Sequence, residues 1–436
     1  MASSRHAAPR RRARPRRRFL RWRALLLVPA LVVLLLGVSL AGAALSPGNQ
    51  SFQAKWADWL RAHHAGLVAQ RFEEIYYSAT APPKGGRPQA LNQVPGTVGG
   101  VPLTTADPAP VAVSTTTVPS TPSTAAPAPA PRAPSTTVPA LTTTTTAPPG
   151  LPAPSPVPLV VRPALPGEGQ WQATGPLVRG VPAMYVAQFR ADDVYTSQIT
   201  TAVWVDPERV RLRLVPGSTE PGGTWAHPPY VTPAELPYLV AAFNGGFRFQ
   251  DARGGIYLEA KTGVALVAGA ASFVIYRDGR VDIGAWGREV SMTPEVASVL
   301  QNVVLLVDKG QLAPSATYTD NAIWGYTLGG GYVVPRSGIG VTADGALVYV
   351  AGPALTARSL AESLQRAGAV RAMTLDINPE WVTFNFYSHA PGRPAQLTGA
   401  KLYPEMQRPA DRYLPPVWEA RDFFEVLLPG AGPGGP

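Results

Sequence analysis

The sequence predicts an α+β fold: a domain with a large mixed β-sheet and a few helices, preceded by one transmembrane helix and a disordered linker. Three observations support this prediction. Residues 24–45 contain no charged side chain, residues 80–168 are of low complexity, and the chain beyond them consists of short apolar runs separated by turn residues. Many short strands with few helical repeats are typical of a sheet-rich α+β domain.

The positive charge of the chain is concentrated at its N-terminus. The 436 residues carry a net charge of +10, and residues 1–23 contain ten Arg and no acidic residue, leaving 28 basic and 28 acidic residues elsewhere. The charge therefore belongs to a basic tail and does not indicate a nucleic-acid-binding surface, so we expect no nucleic-acid partner. The absence of cysteine excludes disulfides, thiolate metal sites and a lipid-modified cysteine anchor.

The apolar segment 24–45 is long enough to cross a membrane as a helix, which needs about 20 residues. The Arg-rich tail 1–23 should stay cytoplasmic by the positive-inside rule. These features predict a single-pass protein of the cell membrane with its C-terminal domain outside the cytoplasm. The alternative is a cleaved signal peptide, because residues 41–44 are small, but signal peptides usually have shorter apolar regions.

Between this segment and the distal domain lie a stem and a linker. Residues 46–79 mix Trp and Tyr with charged residues and are predicted to form an amphipathic stem helix. Residues 80–168 are rich in Pro, Thr and Ala and cannot offset their ordering entropy by burial, so they are predicted to be a disordered linker. We expect it to hold the domain at residues 169–428 away from the membrane, within the cell envelope, with a flexible tail at 429–436.

The distal domain is predicted to contain many strands and few helices. Helical spacing is found at 294–300 and 357–367; Thr356 or Ser359 can cap the second helix, and Gly368 can end it. Asp344-Gly345 is a strong hairpin signal. Residues 418–427 are predicted to pack back on the core. The predicted strands are 184–189, 199–205, 210–215, 239–243, 272–276, 281–286, 303–307, 322–327, 339–341, 346–350, 370–375 and 382–386.

Two motifs in this domain combine glycines with a polar side chain near a strand end. Asn244, Gly245 and Gly246 follow an apolar run, although an Asn-Gly pair is also typical of a plain hairpin turn. Arg336 and Ser337 precede two further glycines, which would let backbone amides approach a ligand. The Arg guanidinium could bind a phosphate or carboxylate in a bidentate manner, or it could form a surface ion pair.

A third motif follows the predicted strand 370–375, which would deliver Asp376 to its C-terminal end. Asp376 and Glu380 are two carboxylates four positions apart, a pattern that indicates acid–base chemistry. The intervening Asn378-Pro379 pair is also typical of a turn, so a purely structural role is the alternative. We expect the side chains of the three motifs to converge in a single cleft.

Taken together and in order, these motifs resemble the phosphodiester glycosidase domain family. The resemblance rests on AFNGGFRF at 242–249, PRSGIGVTADGAL at 335–347, SLAESLQRAGAVRA at 359–372 and TLD at 374–376. It extends over about residues 195–389. It implies that the domain at 169–428 is phosphodiester glycosidase-like, and it carries no information on the anchor or the linker.

The resemblance implies a hydrolase that cleaves a sugar–phosphate bond through an oxocarbenium-like transition state. Arg336 is expected to neutralise the phosphate, and Asp376 to stabilise the sugar cation or direct water, with Glu380 as a further acid or base. The resemblance implies a glycan or sugar-phosphate substrate, for example a cell-wall polymer, and the apolar segment 24–45 adds the membrane as a partner. Substrate binding is expected from Asn244, Gly245, Gly246, Ser337 and Asn378.

The chain departs from the family at the glycine loop that normally follows Asp376. Ile377, Asn378, Pro379 and Glu380 occupy these positions instead; Pro379 removes an N–H donor, and Glu380 adds negative charge. Two functions therefore stay open. One is a membrane-anchored hydrolase with an altered substrate, and the other is a non-catalytic cell-wall or glycan-binding module on a stalk. A structural surface protein is a third hypothesis.

The sequence predicts no cofactor. It contains no HExxH zinc motif, no phosphate-binding Walker loop and no GxSxG nucleophile elbow. Oxygen-bearing side chains of Asp376, Glu380 and Asn244 could hold a divalent cation, but their spacing is not diagnostic of a metal site.

Overall fold

The described residues of the N-terminal part of the chain are mainly helical. The structure is a computed structural model that describes residues 16–46, 51–69, 71–72, 75, 82–95, 97–98, 101–102, 150–317, 321–324, 333–390, 392–416 and 421–430. Helix α1 (Arg16–Leu45) is followed by α2 (Phe52–Ala62). Within the described residues, one stretch, Leu27–Leu45, is long and apolar enough to span a membrane, and this agrees with either a signal anchor or a signal peptide.

Helix α2 packs against the C-terminal end of α1. Trp56 Nε1 donates to Ser39 Oγ at 3.0 Å, and Lys55 Nζ donates to the carbonyl of Ser46 at 3.0 Å. Two polar side chains of the stem thus bond to the last turns of the apolar helix.

Both ends of the predicted linker contact the distal domain. Gly85 N donates to the carbonyl of Val194 at 2.7 Å, and Val157 N donates to the carbonyl of Gly169 at 2.8 Å. Most of the residues from 96 to 149, at the centre of the predicted disorder, lie outside the described residues. The described ends of the linker, 82–95 and 150–168, therefore lie on the surface of the domain, and its predicted role as a spacer stays a prediction.

The distal domain consists of three sheets. An eight-stranded sheet has the order β14-β13-β17-β15-β16-β5-β4-β3, and two five-stranded sheets have the orders β19-β18-β7-β20-β6 and β11-β10-β12-β8-β9; β1 and β2 form a small hairpin. The strands are β1 (Thr97–Val98), β2 (Val101–Pro102), β3 (Gln172–Val178), β4 (Val181–Phe189), β5 (Thr200–Val205), β6 (Arg211–Val215), β7 (Leu239–Asn244), β8 (Ile256–Leu258), β9 (Lys261–Val264), β10 (Ala271–Tyr276), β11 (Val281–Ala285), β12 (Val296–Gln301), β13 (Leu305–Asp308), β14 (Gln311–Leu312), β15 (Val334–Thr342), β16 (Leu347–Leu355), β17 (Ala369–Thr374), β18 (Phe384–Ala390), β19 (Arg393–Lys401) and β20 (Phe423–Leu427).

The pairing of the named strands is antiparallel, so the prediction of a mixed sheet was wrong. The connection from β16 to β17 shows why a parallel pair was expected and why none is formed there. Strand β16 runs into helix α5 (Ala357–Arg366) and then into β17, which would suit a parallel pair. However, β17 pairs with β15 instead of β16, so β15 separates the two parallel strands.

Helix α5 and the hairpin before it form as their sequence predicts. Thr356 Oγ1 accepts from Ser359 N at 2.9 Å and Ser359 Oγ accepts from Thr356 N at 2.9 Å, which is a reciprocal capping box. Gly368 has a φ of 101° just after the helix. The turn between β15 and β16 contains Gly345 at φ 93°, a left-handed conformation that favours glycine.

Two short elements were predicted wrongly. Residues 296–301 form strand β12, although 294–300 has helical spacing, because the segment pairs with β8 and β10 on both sides. Conversely, the predicted strand 322–327 begins within helix α4 (Asn321–Trp324), and its remaining residues lie outside the described part of the chain. Further short helical segments of the distal domain are α3 (Phe249–Ala252) and the 3₁₀ turns Leu236–Tyr238 and Pro314–Thr317.

The eight-stranded sheet buries both of its faces. Along β16, Leu347, Tyr349 and Ala351 face a core shared with the two five-stranded sheets, whereas Val348 and Val350 face a second core under α5. Because side chains alternate along a strand, one apolar run fills both layers. This alternation also decides which side chains near the strand ends reach the site described below.

Candidate active site

The loop after β7 is held against the first residues of the segment that contains β20. Gly245 N donates to the carbonyl of Asp422 at 2.9 Å, and Gly246 N donates to Asp422 Oδ2 at 3.2 Å. A Cβ atom at position 245 would lie 1.8 Å from Asp422 Oδ2. Only glycine permits this approach, so the Asn-Gly-Gly motif serves a tertiary contact and is not a plain hairpin turn.

The side chain of Asn244 is engaged in hydrogen bonds within the protein. Its Oδ1 accepts from Tyr349 Oη at 2.9 Å and from Thr383 N at 3.1 Å, while its Nδ2 donates to Gly245 O at 2.8 Å and to Ser337 Oγ at 3.1 Å. The residue is buried. Asn244 therefore connects the end of β7 with β15, β16 and the residue before β18, and this geometry favours a positioning role over direct contact with a sugar.

Asp376 lies two residues beyond the end of β17, as its sequence context predicts. Its Oδ1 accepts from Ile377 N at 2.7 Å and from Asn378 N at 2.8 Å, and its Oδ2 accepts from Arg421 Nη2. Burial raises the pKa of Asp376, while Arg421 and the two amides act in the opposite direction. The carboxylate is thus buried and held by three N–H donors.

Three guanidinium groups surround the indole ring of Trp381. The Cζ atoms of Arg421, Arg412 and Arg408 lie 4.2, 4.7 and 5.8 Å from its ring centroid. Arg421 Nε is buried and has no hydrogen-bond partner among the described residues. Contacts of this kind hold a cation by its attraction to the aromatic face, so the arginines are ordered before any ligand binds.

These groups line a small, partly open cavity at the strand ends, whose interior has room for about one water molecule. Two carboxylates, two guanidiniums and two aromatic rings meet there, and such a set of charges suits a small anionic ligand with an apolar face. The lining residues are Asn244, Gly245, Gly246, Asp376, Trp381, Arg412, Tyr413, Arg421 and Asp422.

Of the eight residues predicted from the sequence, Asn244, Gly245, Gly246 and Asp376 line this cavity. Ser337 lies directly behind it, where its Oγ accepts from Asp376 N at 3.1 Å.

Arg336 does not line the cavity. Its Nε donates to the carbonyl of Leu355 at 2.9 Å at the end of β16, and the residue is buried. Ser337 and Ile339 face the central core, so the alternation of β15 directs Arg336 to the opposite side of the sheet. Arg336 is therefore not among the residues that line the cavity with Asn244 and Asp376, and its catalytic role stays a prediction.

Glu380 and Asn378 belong to the altered loop and are also outside the cavity lining. Glu380 Oε2 accepts from Arg408 Nη2 at 2.6 Å, and Glu380 Oε1 accepts from Ser51 N at 3.0 Å. Asn378 Oδ1 accepts from Glu380 N at 2.9 Å, which is a local turn contact. The negative charge of Glu380 is thus compensated by Arg408 and does not face the ligand space.

The stem lies close to this region. Besides the contact of Ser51 with Glu380, Asp58 of helix α2 accepts from Arg248 Nη2 at 2.5 Å. Burial lowers the pKa of Arg248, but the nearby Asp58 outweighs this effect and the pKa is raised overall.

Sequence reasoning did not find Trp381, Arg412, Tyr413, Arg421 and Asp422. The adjacent Arg421-Asp422 pair directly before an apolar run was a usable signal, because residues 418–427 were predicted to pack on the core. Without the pairing of β20 with β7, however, nothing connects this pair to position 244 or 376.

The oxygen atoms considered for a divalent cation are occupied by other donors. Asp376 and Glu380 pair with arginines, and Asn244 Oδ1 accepts from protein donors. A separate cluster, formed by His227, Glu235 and Glu425, has ligand atoms within 4.8 Å of one another.

The positively charged side chain of Arg213 already lies in this second cluster. Arg213 Nη1 donates to Glu235 Oε1 and lies 3.6 Å from Glu425 Oε2. We therefore interpret it as a buried ion-pair cluster beneath β20. Burial raises the pKa of Glu425 to about 8, whereas His227 and Thr232 help to hold the pKa of Glu235 at about 2 despite its burial.

The fold and the cavity define the class of this protein: a β-sheet domain with a buried carboxylate–guanidinium site at its strand ends. Residues 238–376 match the family model of phosphodiester glycosidases, so the chain contains a domain of this hydrolase family. The match ends at Asp376, directly before the altered loop and before Arg421 and Asp422. No curated protein matches the chain.

Solved structures that are similar to this chain include the following three. The zebrafish N-acetylglucosamine-1-phosphodiester alpha-N-acetylglucosaminidase catalytic domain, auto-inhibited by its pro-peptide, is 18% identical with a TM-score of 0.34, over 57% of this chain and 83% of that one. A hypothetical protein from Synechocystis is 13% identical (TM-score 0.31; 58% and 63% covered). A putative exported protein from Burkholderia pseudomallei K96243 is 12% identical (TM-score 0.30; 53% and 74% covered).

Proposed function

We propose that this protein is an extracytoplasmic phosphodiester glycosidase that hydrolyses the bond between a sugar and a phosphate. The observation that carries the proposal is the meeting of Asp376 with Arg421 and the Asn-Gly-Gly loop in one cavity. The family match of residues 238–376 supplies the reaction class. The substrate is a glycan that contains a phosphodiester, and the identity of its sugar is left to experiment.

In this proposal, Arg421 and Arg412 bind the phosphate. Both guanidiniums line the cavity, and Arg421 keeps a buried Nε without a partner in the described chain. Cationic donors fixed in a buried site stabilise the charge that develops on a leaving phosphate better than water does. Trp381 and Tyr413 line the same space, and the ring of Trp381 holds Arg421 and Arg412 in position for the phosphate.

Asp376 acts on the sugar side of the scissile bond. When the C1–O bond breaks, its electron pair stays with the phosphate oxygen, and positive charge develops on the sugar. The carboxylate of Asp376 stabilises this charge and then accepts a proton from the water that adds to C1. Arg421 favours the ionised form of Asp376 that both tasks require.

A second candidate is binding without turnover. The observation that favours it is the loop Ile377–Glu380, where the glycines typical of the family are absent and Glu380 is bound to Arg408. A glycan-binding module of this kind would bind a sugar phosphate in the cavity and release it unchanged.

We also propose that α1 is retained as a signal anchor. The support is its long apolar stretch, together with the contacts of α2 with both α1 and Arg248. Carbonate extraction of membranes should leave the full-length chain in the pellet, and its N-terminal sequence should begin near Met1. A mature chain starting after residue 45 would instead identify a cleaved signal peptide.

The test of the activity uses the full-length chain in detergent with a panel of sugar-1-phosphodiesters. The wild type should release the free sugar and a phosphomonoester, and Asp376→Asn should lower kcat by about 10²–10⁴-fold, as for loss of an acid–base group. Asp278→Asn, in an exposed turn, is the matched control and should be neutral. Binding of a sugar phosphate by the wild type without any product would favour the binding module instead.

A further inference from the structure

We propose that Asp422 is the catalytic acid that protonates the departing phosphate while Asp376 serves the sugar side. This inference deepens the proposed function and rests on it. Asp422 lies outside the segment that matches the family and outside every motif found in the sequence. Its assignment comes from its position in the cavity.

The geometry of Asp422 leaves one carboxyl oxygen available. Its Oδ2 accepts from Gly246 N at 3.2 Å, and Gly245 N fixes its carbonyl, so the side chain is held in place. Its Oδ1 is buried and has no hydrogen-bond partner within the described parts of the chain. The residue is 3% exposed and lines the same cavity as Asp376. An unsatisfied buried oxygen is costly for an ionised carboxylate but less so for a protonated one.

The two carboxyl groups differ in their donors. Asp376 receives three N–H groups, one of them from a guanidinium, and such contacts favour the charged form. Among the described residues, Asp422 receives one neutral amide, that of Gly246. Burial raises the pKa of both groups, and the larger set of donors at Asp376 opposes this rise. Acid and base in glycoside hydrolysis usually differ in their surroundings.

The charged groups around Asp422 have opposite effects on its pKa. Arg421 lowers its pKa, whereas Glu220 and the neighbouring Asp376 raise it, and Tyr413 lies in the same cavity. Burial is the largest effect and raises the pKa of Asp422 to about 7. A group of this pKa retains its proton in a substantial fraction of molecules at neutral pH and can still release it during the reaction.

In the proposed reaction, the C1–O bond breaks with its electron pair on the phosphate oxygen, and the Asp422 proton moves to that phosphate group. Water then forms a bond to C1 and loses its proton to Asp376. The products are the free sugar and a singly charged phosphomonoester, and exchange with solvent returns the proton from Asp376 to Asp422. Because the second pKa of a phosphomonoester is about 6, proton transfer from Asp422 is nearly balanced in energy.

The test compares two substrates with the same sugar: the phosphodiester, and the glycosyl fluoride, whose small leaving group depends less on a proton donor. In the full-length chain, Asp422→Asn should lower kcat on the phosphodiester by about 10²–10⁴-fold and on the fluoride by less than about tenfold. Asp376→Asn should lower kcat on both. A purely structural role of Asp422 would lower both equally, and this result would overturn the assignment.

A second measurement covers the case in which Asp422→Asn does not fold. For the wild type, kcat/KM on the phosphodiester should decline above about pH 7, and kcat/KM on the fluoride should not. The same decline with both substrates would reject Asp422 as the acid while leaving the hydrolase intact. A wild type that cleaves no phosphodiester at all would reject the proposed function and this inference together.

Discussion

Arg421 donates from Nη2 to Oδ2 of Asp376, a residue 45 positions earlier in the chain. This contact joins the start of β20 to the end of β17, and both side chains are almost fully buried. A buried carboxylate without a counter-charge would be strongly disfavoured, so Arg421 is the residue that allows Asp376 to be ionised in the cavity.

We expect Arg421→Gln to lower both stability and activity. Removing one partner of a buried ion pair typically costs about 3–5 kcal/mol of unfolding free energy, since the other charge is left uncompensated. The pKa of Asp376 should rise further, which would move the acidic limb of the kcat/KM profile to higher pH. Denaturant unfolding and a pH–rate profile would measure the two effects.

Arg358→Gln is the control for that experiment. The Arg358 side chain is 61% exposed and pairs with Glu362 one helical turn away, so its loss should change stability by less than about 1 kcal/mol. Comparable losses in both variants would contradict a special role for the Arg421–Asp376 pair.

The two glycines of the Asn-Gly-Gly motif should respond differently to substitution. Gly245→Ala would place a Cβ 1.8 Å from Asp422 Oδ2 and should cost about 1–3 kcal/mol by overpacking, together with most of the activity. Gly246→Ala is the matched control, because its Cβ would meet Asn302 atoms at an ordinary 3.5 Å. Thermal unfolding of the two variants would separate these expectations, and equal behaviour would disprove the close contact.

The hydrogen bonds of Asn244 predict a role in stability. Asn244→Ala would leave Thr383 N without its side-chain acceptor and should cost about 2–4 kcal/mol, since each unsatisfied buried group costs about 1–3 kcal/mol. Tyr349→Phe removes a single hydroxyl from the same network and should cost about 1 kcal/mol. If Asn244→Ala were to keep full stability and only raise KM, direct substrate contact would be the better interpretation.

The buried cluster beneath β20 predicts a dependence of stability on pH. The folded-state pKa of Glu425 is about 8, above its ordinary value of 4.5. The contribution of its protonated side chain to the free energy of unfolding is therefore present below pH 4.5 and is lost as the pH rises towards 8. Glu425→Gln should remove this loss, and the variant should gain stability relative to the wild type across this range, by a few kcal/mol at about 1.4 kcal/mol per pKa unit.

Urea unfolding at several pH values between 4.5 and 8.5 would measure the effect. Glu235 has its pKa lowered to about 2, so its contribution is lost only below pH 4.5 and does not interfere. The raised pKa of His227 also makes stability depend on pH between 4.5 and 8.5. Glu362→Gln on the surface serves as a neutral control. A constant difference between Glu425→Gln and the wild type at all pH values would contradict the prediction.

Local signals in the sequence were sufficient for the elements that depend on neighbouring residues. The uncharged run in α1, a cap at Thr356 or Ser359 for α5 and the Asp-Gly turn before β16 each act over a few residues, and each was predicted. The same holds for Asn244 and Asp376, because a polar side chain directly after an apolar strand can be recognised without knowing its partners.

Tertiary structure decided which side chains meet these two residues. Strand β20 pairs between β6 and β7, and this pairing brings Arg421 and Asp422 to the Asn-Gly-Gly loop from almost 180 positions away. The register of β15 turns Arg336 away from the cavity and Ser337 towards it, and a shift by one residue would reverse both. Strand pairing and register depend on packing across the whole domain, whereas the sequence by itself determined helix α5, the hairpin before it and the polar residues Asn244 and Asp376 at strand ends.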